Sequence, residues 1–186
     1  MIKPAALLAL LALAGCASPP PAAAPWRPPA GVEPLTLPDG ARLFWDYEAG
    51  SEPRLDLLDY GSGVVRLSLR CDTLSGRMLL IAPVWTTRFD TARAAEDGAP
   101  IVMEAGARFE GPARWMVMVD AAWPGAAFDP TPAQLDALAR AATVTVRLGQ
   151  QERRVPAPGE AVRRDFAWKC ADALRIRRPS VAPRPG

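Results

Sequence analysis

The sequence predicts a mainly β protein, an antiparallel sandwich or an open barrel of about seven or eight short strands with one or two packed helices. Between residues 39 and 174, apolar and polar side chains alternate with a period of two over most of the chain. Turn residues interrupt this alternation every ~8–12 residues, as is typical of antiparallel sheets. Two segments show helical spacing instead, residues 131–142 and 160–174.

The clearest predicted strand ends at Cys71 and has its apolar residues on one face. A turn at residues 59–63 precedes it, and residues 54–58 before that turn form a plausible partner strand. A second turn at residues 73–76 leads into residues 77–83, which predicts another hairpin. The buried face of the strand that ends at Cys71 is predicted to carry Val65, Leu67, Leu69 and Cys71.

Further strands follow from shorter stretches of the same alternation. They are predicted at residues 42–47, 101–109, 115–121, 143–148 and 152–156. Trp45 and Trp115 fall within these patterns, so we expect both to fill the core. The alternative, that the many tryptophans and arginines form an exposed binding surface, stays open.

The first predicted helix, over residues 131–142, has a complete start signal. Thr131 supplies a capping hydroxyl, Pro132 occupies the first helical position, and Gln134 occupies the third. This layout satisfies the backbone amides that have no partner at a helix start. We therefore expect a helix that covers one edge or end of the sheet structure.

The second predicted helix, over residues 160–174, depends on a spacing of four. Its apolar positions are Val162, Phe166, Cys170 and Leu174. Residues 162–170 also alternate in a way that allows a strand. We favour the helix.

The composition excludes several functional classes. The chain has 186 residues, of which 49% are hydrophobic and 23% charged, with a formal net charge of +2 and no histidine. The absence of histidine excludes Ser-His-Asp and Cys-His catalysis and histidine-ligated zinc. The near-balance of charges argues against nucleic-acid binding, which needs a basic excess on one face. We expect one compact domain with no metal or other cofactor.

The N-terminal residues have the pattern of an export signal. Lys3 gives a positive start and an apolar stretch of about ten residues follows it. That stretch is too short to cross a ~30 Å hydrocarbon core, which disfavours a transmembrane helix. An ordinary signal peptide with an incidental cysteine is the other alternative. The stretch ends in Leu13, Ala14, Gly15 and Cys16.

These four positions resemble the lipobox of bacterial lipoprotein signals. The resemblance implies that residues 1–15 are a signal peptide that is removed. It also implies that Cys16 receives a thioether-linked diacylglycerol and that its amino group is then acylated, for example with palmitate. In that family an aspartate after the cysteine retains the protein at the inner membrane, whereas this chain has Ala17. The resemblance therefore implies a lipid-anchored protein on the periplasmic face of the outer membrane.

Both ends of the chain are rich in proline. Residues 16–38 are predicted to be a lipidated N-terminus and an extended tether, with eight prolines. For Trp26 within it we expect a loosely held side chain; the alternatives are docking on the domain and insertion in the lipid interface. Residues 39–174 are predicted to form the single domain, and residues 175–186 a disordered basic tail.

The cysteine count predicts one disulfide. With Cys16 lipidated, Cys71 and Cys170 remain, an even number in an exported protein. A bridge would close a loop of about 100 residues, for which chain entropy gives roughly 4.7 kcal/mol at most. A catalytic thiol or a metal pair is disfavoured because histidine and CxxC spacing are both absent.

The catalytic candidates are weak, and we assign no catalytic residue. Ser62 lies in a Gly-Ser-Gly turn without the spacing of a nucleophile elbow. Lys169 falls on a predicted amphipathic element, where a solvated lysine is the usual case. Glu104 and Glu110 are a possible acid and base pair for a glycosidic bond, although exposed carboxylates at strand ends are common.

The sequence therefore favours a non-catalytic, membrane-tethered module of the cell envelope, with a binding or a structural role. Its expected partners are the membrane and either a protein or peptidoglycan. Residues 134–170 look like the end of small alphaproteobacterial periplasmic lipoproteins with no assigned activity. Residues 105–109, followed by Trp115, are similar to a region of lipoprotein lysozyme inhibitors, from which no site residue carries over. The alternatives are a carboxylate-dependent envelope hydrolase and a lysozyme-inhibitor-like protein binder.

Overall fold

The computed structural model of the protein describes residues 26–81, 97–118, 121–149, 151–176 and 178–180. Within these ranges the chain forms two antiparallel sheets and two helices. The predicted mainly β, sandwich-like fold is confirmed, and neither sheet closes into a barrel. The predicted signal peptide and Cys16 lie outside the described residues.

The strands pair mostly with their neighbours in sequence. One sheet has seven strands in the order β1-β2-β3-β4-β5-β9-β8, and the other has four in the order β11-β10-β6-β7. The strands are β1 Leu35–Thr36, β2 Arg42–Glu48, β3 Arg54–Asp59, β4 Val65–Asp72, β5 Arg77–Ile81, β6 Pro100–Glu104, β7 Arg108–Pro112, β8 Arg114–Met118, β9 Ala121–Phe128, β10 Thr143–Leu148 and β11 Gln151–Pro156. The helices are α1 Pro132–Arg140 and α2 Glu160–Ala173.

The core lies between the inner faces of the two sheets. On the larger sheet, Leu55 pairs with Leu69 and Leu57 with Leu67 across β3 and β4, and all four are buried. These cross-strand pairs are the unit by which a sheet face is stabilised. The rings of Phe109 on β7 and Phe128 on β9 lie 5.9 Å apart and join the two sheets.

Both predicted helices are present. At the start of α1 the Thr131 hydroxyl accepts a hydrogen bond from the Gln134 amide at 3.2 Å, and the Gln134 side chain accepts one from the Thr131 amide at 2.8 Å. This reciprocal capping box satisfies two amides that would otherwise lack partners. In α2 the predicted stripe is buried at Phe166, Cys170 and Leu174.

A disulfide joins α2 to the larger sheet. Cys71 at the end of β4 and Cys170 on α2 are bonded, with their Cα atoms 5.4 Å apart, and both residues are fully buried. A hydrogen bond joins α2 to β2 as well, in which the Tyr47 hydroxyl donates to Asp165 at 2.6 Å. Burial, followed by that carboxylate, raises the pKa of Tyr47 well above its usual range, so the phenol keeps its proton. The disulfide predicted between Cys71 and Cys170 is confirmed.

The strand predicted over residues 101–109 was wrong, because the chain reverses within it to form β6 and β7. Gly106 lies at the turn with φ +71°, in the left-handed region that favours glycine. A Cβ on Gly106 would also lie 2.3 Å from the carbonyl oxygen of Ala137 on α1. Close packing between the hairpin and α1 therefore requires glycine at this turn. The alternation of apolar and polar residues along the sequence does not indicate the turn.

The strand predicted over residues 115–121 is confirmed only through Met118, where β8 ends. The next strand, β9, was not predicted; it begins at Ala121 and pairs with both β8 and β5. β9 has the sequence AAWPGAAF, and alanine, glycine and proline are depleted in strands. Trp115, expected in the core, is instead exposed, whereas Trp45 is half-buried and packs against the core.

The N-terminal boundary of the domain lies earlier than predicted. Leu35 and Thr36 pair with β2, and Leu37 is buried in the core. Trp26 was expected to be loosely held, but its ring stacks on Phe44 at a centroid distance of 5.8 Å. The predicted tether through residue 38 therefore ends before Trp26.

The start of the predicted C-terminal tail also contacts the domain. Arg178 pairs with Asp172 at 2.6 Å, and its guanidinium lies 4.9 Å from the ring centroid of Trp168. The Ser180 amide donates to Asp136 at 2.6 Å. Residues 178–180 are thus packed against the helices, and residues 181–186 lie outside the described ranges.

We predict that Cys71→Ser and Cys170→Ser each lower the free energy of unfolding by about 2–5 kcal/mol, since either removes the same cross-link. Urea unfolding followed by tryptophan fluorescence would measure the loss, in a Cys16→Ser background that leaves two cysteines. The double variant should be no less stable than either single one, and chemically reduced protein should match them. Two reactive thiols in the oxidised, denatured chain would contradict the bridge.

Candidate functional site

The outer face of the four-stranded sheet carries a groove of about 590 Å³. Successive side chains of a strand point to opposite faces. Val144 and Val146 of β10 and Val155 of β11 therefore enter the core, while the residues between them face outward. We call this feature the sheet groove, and its polar lining is Glu104, Arg108, Thr143, Thr145, Arg147, Glu152 and Arg154.

The strand register places these residues in rows across the sheet. In one row Thr145 lies between Arg154 on β11 and Glu104 on β6, and Glu104 lies opposite Arg108 on β7. In the next row Glu152 lies opposite Arg147. Cationic and anionic side chains therefore alternate across the groove, with a threonine hydroxyl near its centre.

Ion pairs hold two of the three arginines in place. Arg147 donates to Glu152 at 2.5 Å and lies 3.4 Å from Glu104. The hydrogen bond to Glu152, followed by the charge of Glu104, raises the pKa of Arg147 above its usual range. Arg108 donates twice to Glu110, at 2.9 and 2.7 Å, and lies 3.6 Å from Glu104.

Arg154 differs from these two arginines. It is exposed, and its side chain forms no ion pair or hydrogen bond with any other residue in the described part of the chain. A guanidinium presents a planar fork of donors that matches a carboxylate. Arg154, with the Thr145 hydroxyl beside it, can therefore bind an anionic group without breaking an existing pair.

Glu104 and Glu110, singled out as a possible acid and base, both lie beside Arg108. Each carboxylate forms an ion pair with that guanidinium, and both side chains are exposed. One guanidinium therefore engages both of the carboxylates that were considered as an acid and base pair.

The other residues considered from the sequence have structural partners. The Ser62 hydroxyl donates to Asp59 at 2.8 Å within the β3–β4 turn. Lys169 donates to the carbonyl of Ala49 at 3.1 Å and pairs with Asp165. Neither side chain is positioned beside a second catalytic group.

Sequence analysis missed a buried carboxylate on the outer face of the larger sheet. Asp56 on β3 is only 6% exposed and lies between Asp46 on β2 and Ser68 on β4. Its Oδ2 accepts from Arg54 at 2.9 Å, while its Oδ1 has no partner among the described residues. Burial raises the pKa of Asp56 above its ordinary value. The signal was present in the sequence, since Asp56 interrupts three leucines.

No candidate metal site is found among the described residues, which include no group of three or more histidine, cysteine or acidic side chains suited to a metal ion. No helix in the described ranges combines the length and hydrophobicity needed to span a membrane. Comparison with known family models, curated proteins and solved structures finds no significant match. The sheet groove is therefore interpreted from its own geometry.

We predict that Asp56→Asn gains stability relative to the wild type as pH rises above ~4. The unfolded chain releases the Asp56 proton near its ordinary pKa of 3.8, whereas the folded protein retains it to higher pH. The unfolded state then binds fewer protons, so the wild type loses stability with rising pH until the native group ionises. A tenfold difference in proton affinity corresponds to about 1.4 kcal/mol.

Urea unfolding of both proteins at several pH values between 3 and 8 would test this. Asp46→Asn is the companion variant, because the charge of Asp46 helps to raise the pKa of Asp56 and its removal should weaken the pH dependence. A stability difference between Asp56→Asn and wild type that does not vary with pH would contradict the prediction.

Proposed function

We propose that this protein is a non-catalytic lipoprotein of the bacterial cell envelope. In this proposal it is anchored through Cys16 to the periplasmic face of the outer membrane, and its sheet groove binds peptidoglycan. The observation that carries the binding role is Arg154, whose side chain has no partner among the described residues and which lies beside Thr145 in a groove whose other arginines are paired.

The lipobox and the disulfide support the envelope location independently. Leu13, Ala14, Gly15 and Cys16 match the lipobox at all four positions. The Cys71–Cys170 bridge is of the kind that forms and persists in oxidising compartments such as the periplasm. Export followed by lipid attachment accounts for both features.

The charge pattern of the sheet groove supports a ligand with both acidic and basic groups. Arg154 and Thr145 offer donors to a carboxylate, and Glu104 and Glu152 offer acceptors to an ammonium group. The stem peptides of peptidoglycan carry free carboxylates and, where they are not cross-linked, a free amine. Peptidoglycan also lies within the periplasm, where the anchored domain would be.

A carboxylate-dependent hydrolase acting on the same polymer is the second candidate. It is supported by the presence of Glu104 and Glu110 on either side of Arg108. The ion pairs of these two carboxylates and their exposure favour binding over hydrolysis. Release of soluble fragments from peptidoglycan, abolished by Glu104→Gln, would favour the hydrolase.

We predict that Cys16→Ser abolishes lipid attachment. The variant should accumulate as an uncleaved or soluble precursor and should no longer incorporate radiolabelled palmitate. Membrane fractionation and metabolic labelling would measure both effects. Unchanged membrane attachment of the variant would contradict the anchor.

We predict that Arg154→Glu weakens binding to purified peptidoglycan by about 10-fold or more, since a charge-assisted hydrogen bond contributes about 1.5–3 kcal/mol. Thr145→Val, which is nearly isosteric, should weaken it by about 2- to 10-fold. Co-sedimentation with insoluble sacculi would give the affinities.

The matched control for this charge reversal is Arg140→Glu, in the last turn of α1, because Arg140 is exposed and does not line the groove; it should leave binding unchanged. Thermal melting would verify that each variant remains folded. Equal effects of Arg154→Glu and Arg140→Glu would contradict a specific site, and binding of wild type no stronger than that of Arg154→Glu would contradict the ligand.

A further inference from the structure

An aromatic cluster lies at one end of the larger sheet, where the chain enters the domain. Trp26 stacks on Phe44, and the Phe44 ring meets Tyr60 edge-on at a centroid distance of 6.1 Å. The Tyr60 hydroxyl donates to the carbonyl of Val32 at 3.3 Å. The entering segment is therefore held against β2 and the β3–β4 turn.

Gly63 in that turn has no side chain and so leaves room for the Trp26 ring. Its φ is +68°, and a Cβ there would lie 2.4 Å from the indole ring. A side chain at this position would both strain the backbone and displace the ring. The docking of Trp26 therefore depends on a feature of the turn itself.

The surface of this end is apolar and basic. Trp26 is 37% exposed and Val64 is 43% exposed. The guanidinium of Arg42 lies 4.7 Å from the Tyr60 ring centroid, and Arg27 is exposed with no ion pair among the described residues. Tryptophan and arginine are typical of surfaces that contact the interface of a bilayer with anionic lipids.

The acidic residues nearby leave a small basic excess. Asp59 accepts a hydrogen bond from Arg66 at 3.1 Å and is engaged by the turn, and Glu33 is the other carboxylate of the entering segment. With Asp39, which pairs with Arg153 in the adjacent β1–β2 turn, the described residues of this end include four arginines, 27, 42, 66 and 153, and three carboxylates, 33, 39 and 59. The charge of this end complements anionic phospholipid.

The docking of Trp26 also shortens the connection to the anchor. Only nine residues lie between Cys16 and Trp26 in the sequence. The ten residue steps from one to the other span at most ~36 Å even when fully extended. The described chain begins at the aromatic end, so a lipid attached to Cys16 keeps this end within ~36 Å of the membrane.

From these observations we infer that the end of the domain formed by Trp26, Phe44, Tyr60 and Val64 rests on the phospholipid surface. This inference deepens the proposed function and rests on the lipidation of Cys16. It fixes the orientation of the domain, because β4 leads from this end to the opposite one. Leu74, which is 93% exposed, lies in the turn that follows β4, and eight residues of strand at ~3.3 Å each span ~26 Å.

The test compares two exposed apolar positions at opposite ends of β4. The full-length lipidated protein, carrying Val64→Cys or Leu74→Cys labelled with a small fluorophore, is reconstituted into vesicles of phosphatidylethanolamine and phosphatidylglycerol. Some of these lipids carry bromine on their acyl chains as a short-range quencher. We expect quenching at position 64 to be several-fold stronger than at position 74.

Trp26→Ala in both labelled proteins tests the role of the dock. It should reduce the difference between the two positions while the protein stays bound to the vesicles, since the freed segment lengthens the tether. If Trp26→Ala leaves the difference in quenching between positions 64 and 74 unchanged, the role given to the packing of Trp26 on Phe44 would be overturned.

Flotation of the vesicles separates failure of the orientation from failure of the anchor. The two labelled proteins with Trp26 intact are compared. If they float with the vesicles but are quenched equally, or if the label at position 74 is quenched more, the orientation alone would be overturned. A lipid-processed protein that does not float would overturn the anchor, and the orientation with it.

Discussion

The disulfide between Cys71 and Cys170 is the constraint on which the rest of the arrangement depends. It bonds the end of β4, a central strand of the larger sheet, to the buried stripe of α2. α2 in turn contacts α1, and the backbone of α1 packs against the Gly106 turn of the β6–β7 hairpin. That hairpin forms one side of the sheet groove, so a cross-link within the core positions a surface feature on the opposite sheet.

The two sheets are also held together at the edge where the groove begins. The indole of Trp45 on β2 donates to the carbonyl of Pro156 on β11 at 2.8 Å, and Arg153 pairs with Asp39 in the β1–β2 turn. These contacts cover part of the edge strand β11, which would otherwise expose backbone groups to pairing with another chain. They explain how a sandwich that does not close into a barrel keeps the outer face of β11 and β10 in a fixed position.

The sequence predicted the parts of the fold whose signals are local. β10 was predicted with its observed bounds, and α1, α2 and the parity of Cys71 followed from capping, spacing and alternation. β9 was missed because alanine, proline and glycine are uncommon in strands. Its strand structure depends on pairing with β5 on one side and β8 on the other. The Gly106 turn was missed for the same kind of reason, since the carbonyl that requires glycine comes from α1.

The candidate site was less predictable than the fold, because its properties belong to the register between strands. No pattern within β10 or β11 indicates that Thr145 lies between Arg154 and Glu104, or that Arg154 alone among the three arginines of the groove lacks a partner in the described structure. Glu104 was noticed, but as one of two carboxylates rather than as the partner of Arg108 and Arg147. Burial of Asp56 likewise follows from its neighbours across the sheet.

The proposed orientation and the proposed binding role are compatible because they involve different surfaces of the sandwich. The aromatic end lies where strands end, whereas the sheet groove lies on a face, where side chains point perpendicular to the plane of the strands and their hydrogen bonds. With the Trp26 end on the membrane and β4 leading away from it, the larger sheet stands on the bilayer. In a sandwich whose two sheets have roughly aligned strands, the outer face of the smaller sheet then faces sideways into the periplasm. A groove in that position is open to a polymer that runs parallel to the membrane, which is how peptidoglycan lies.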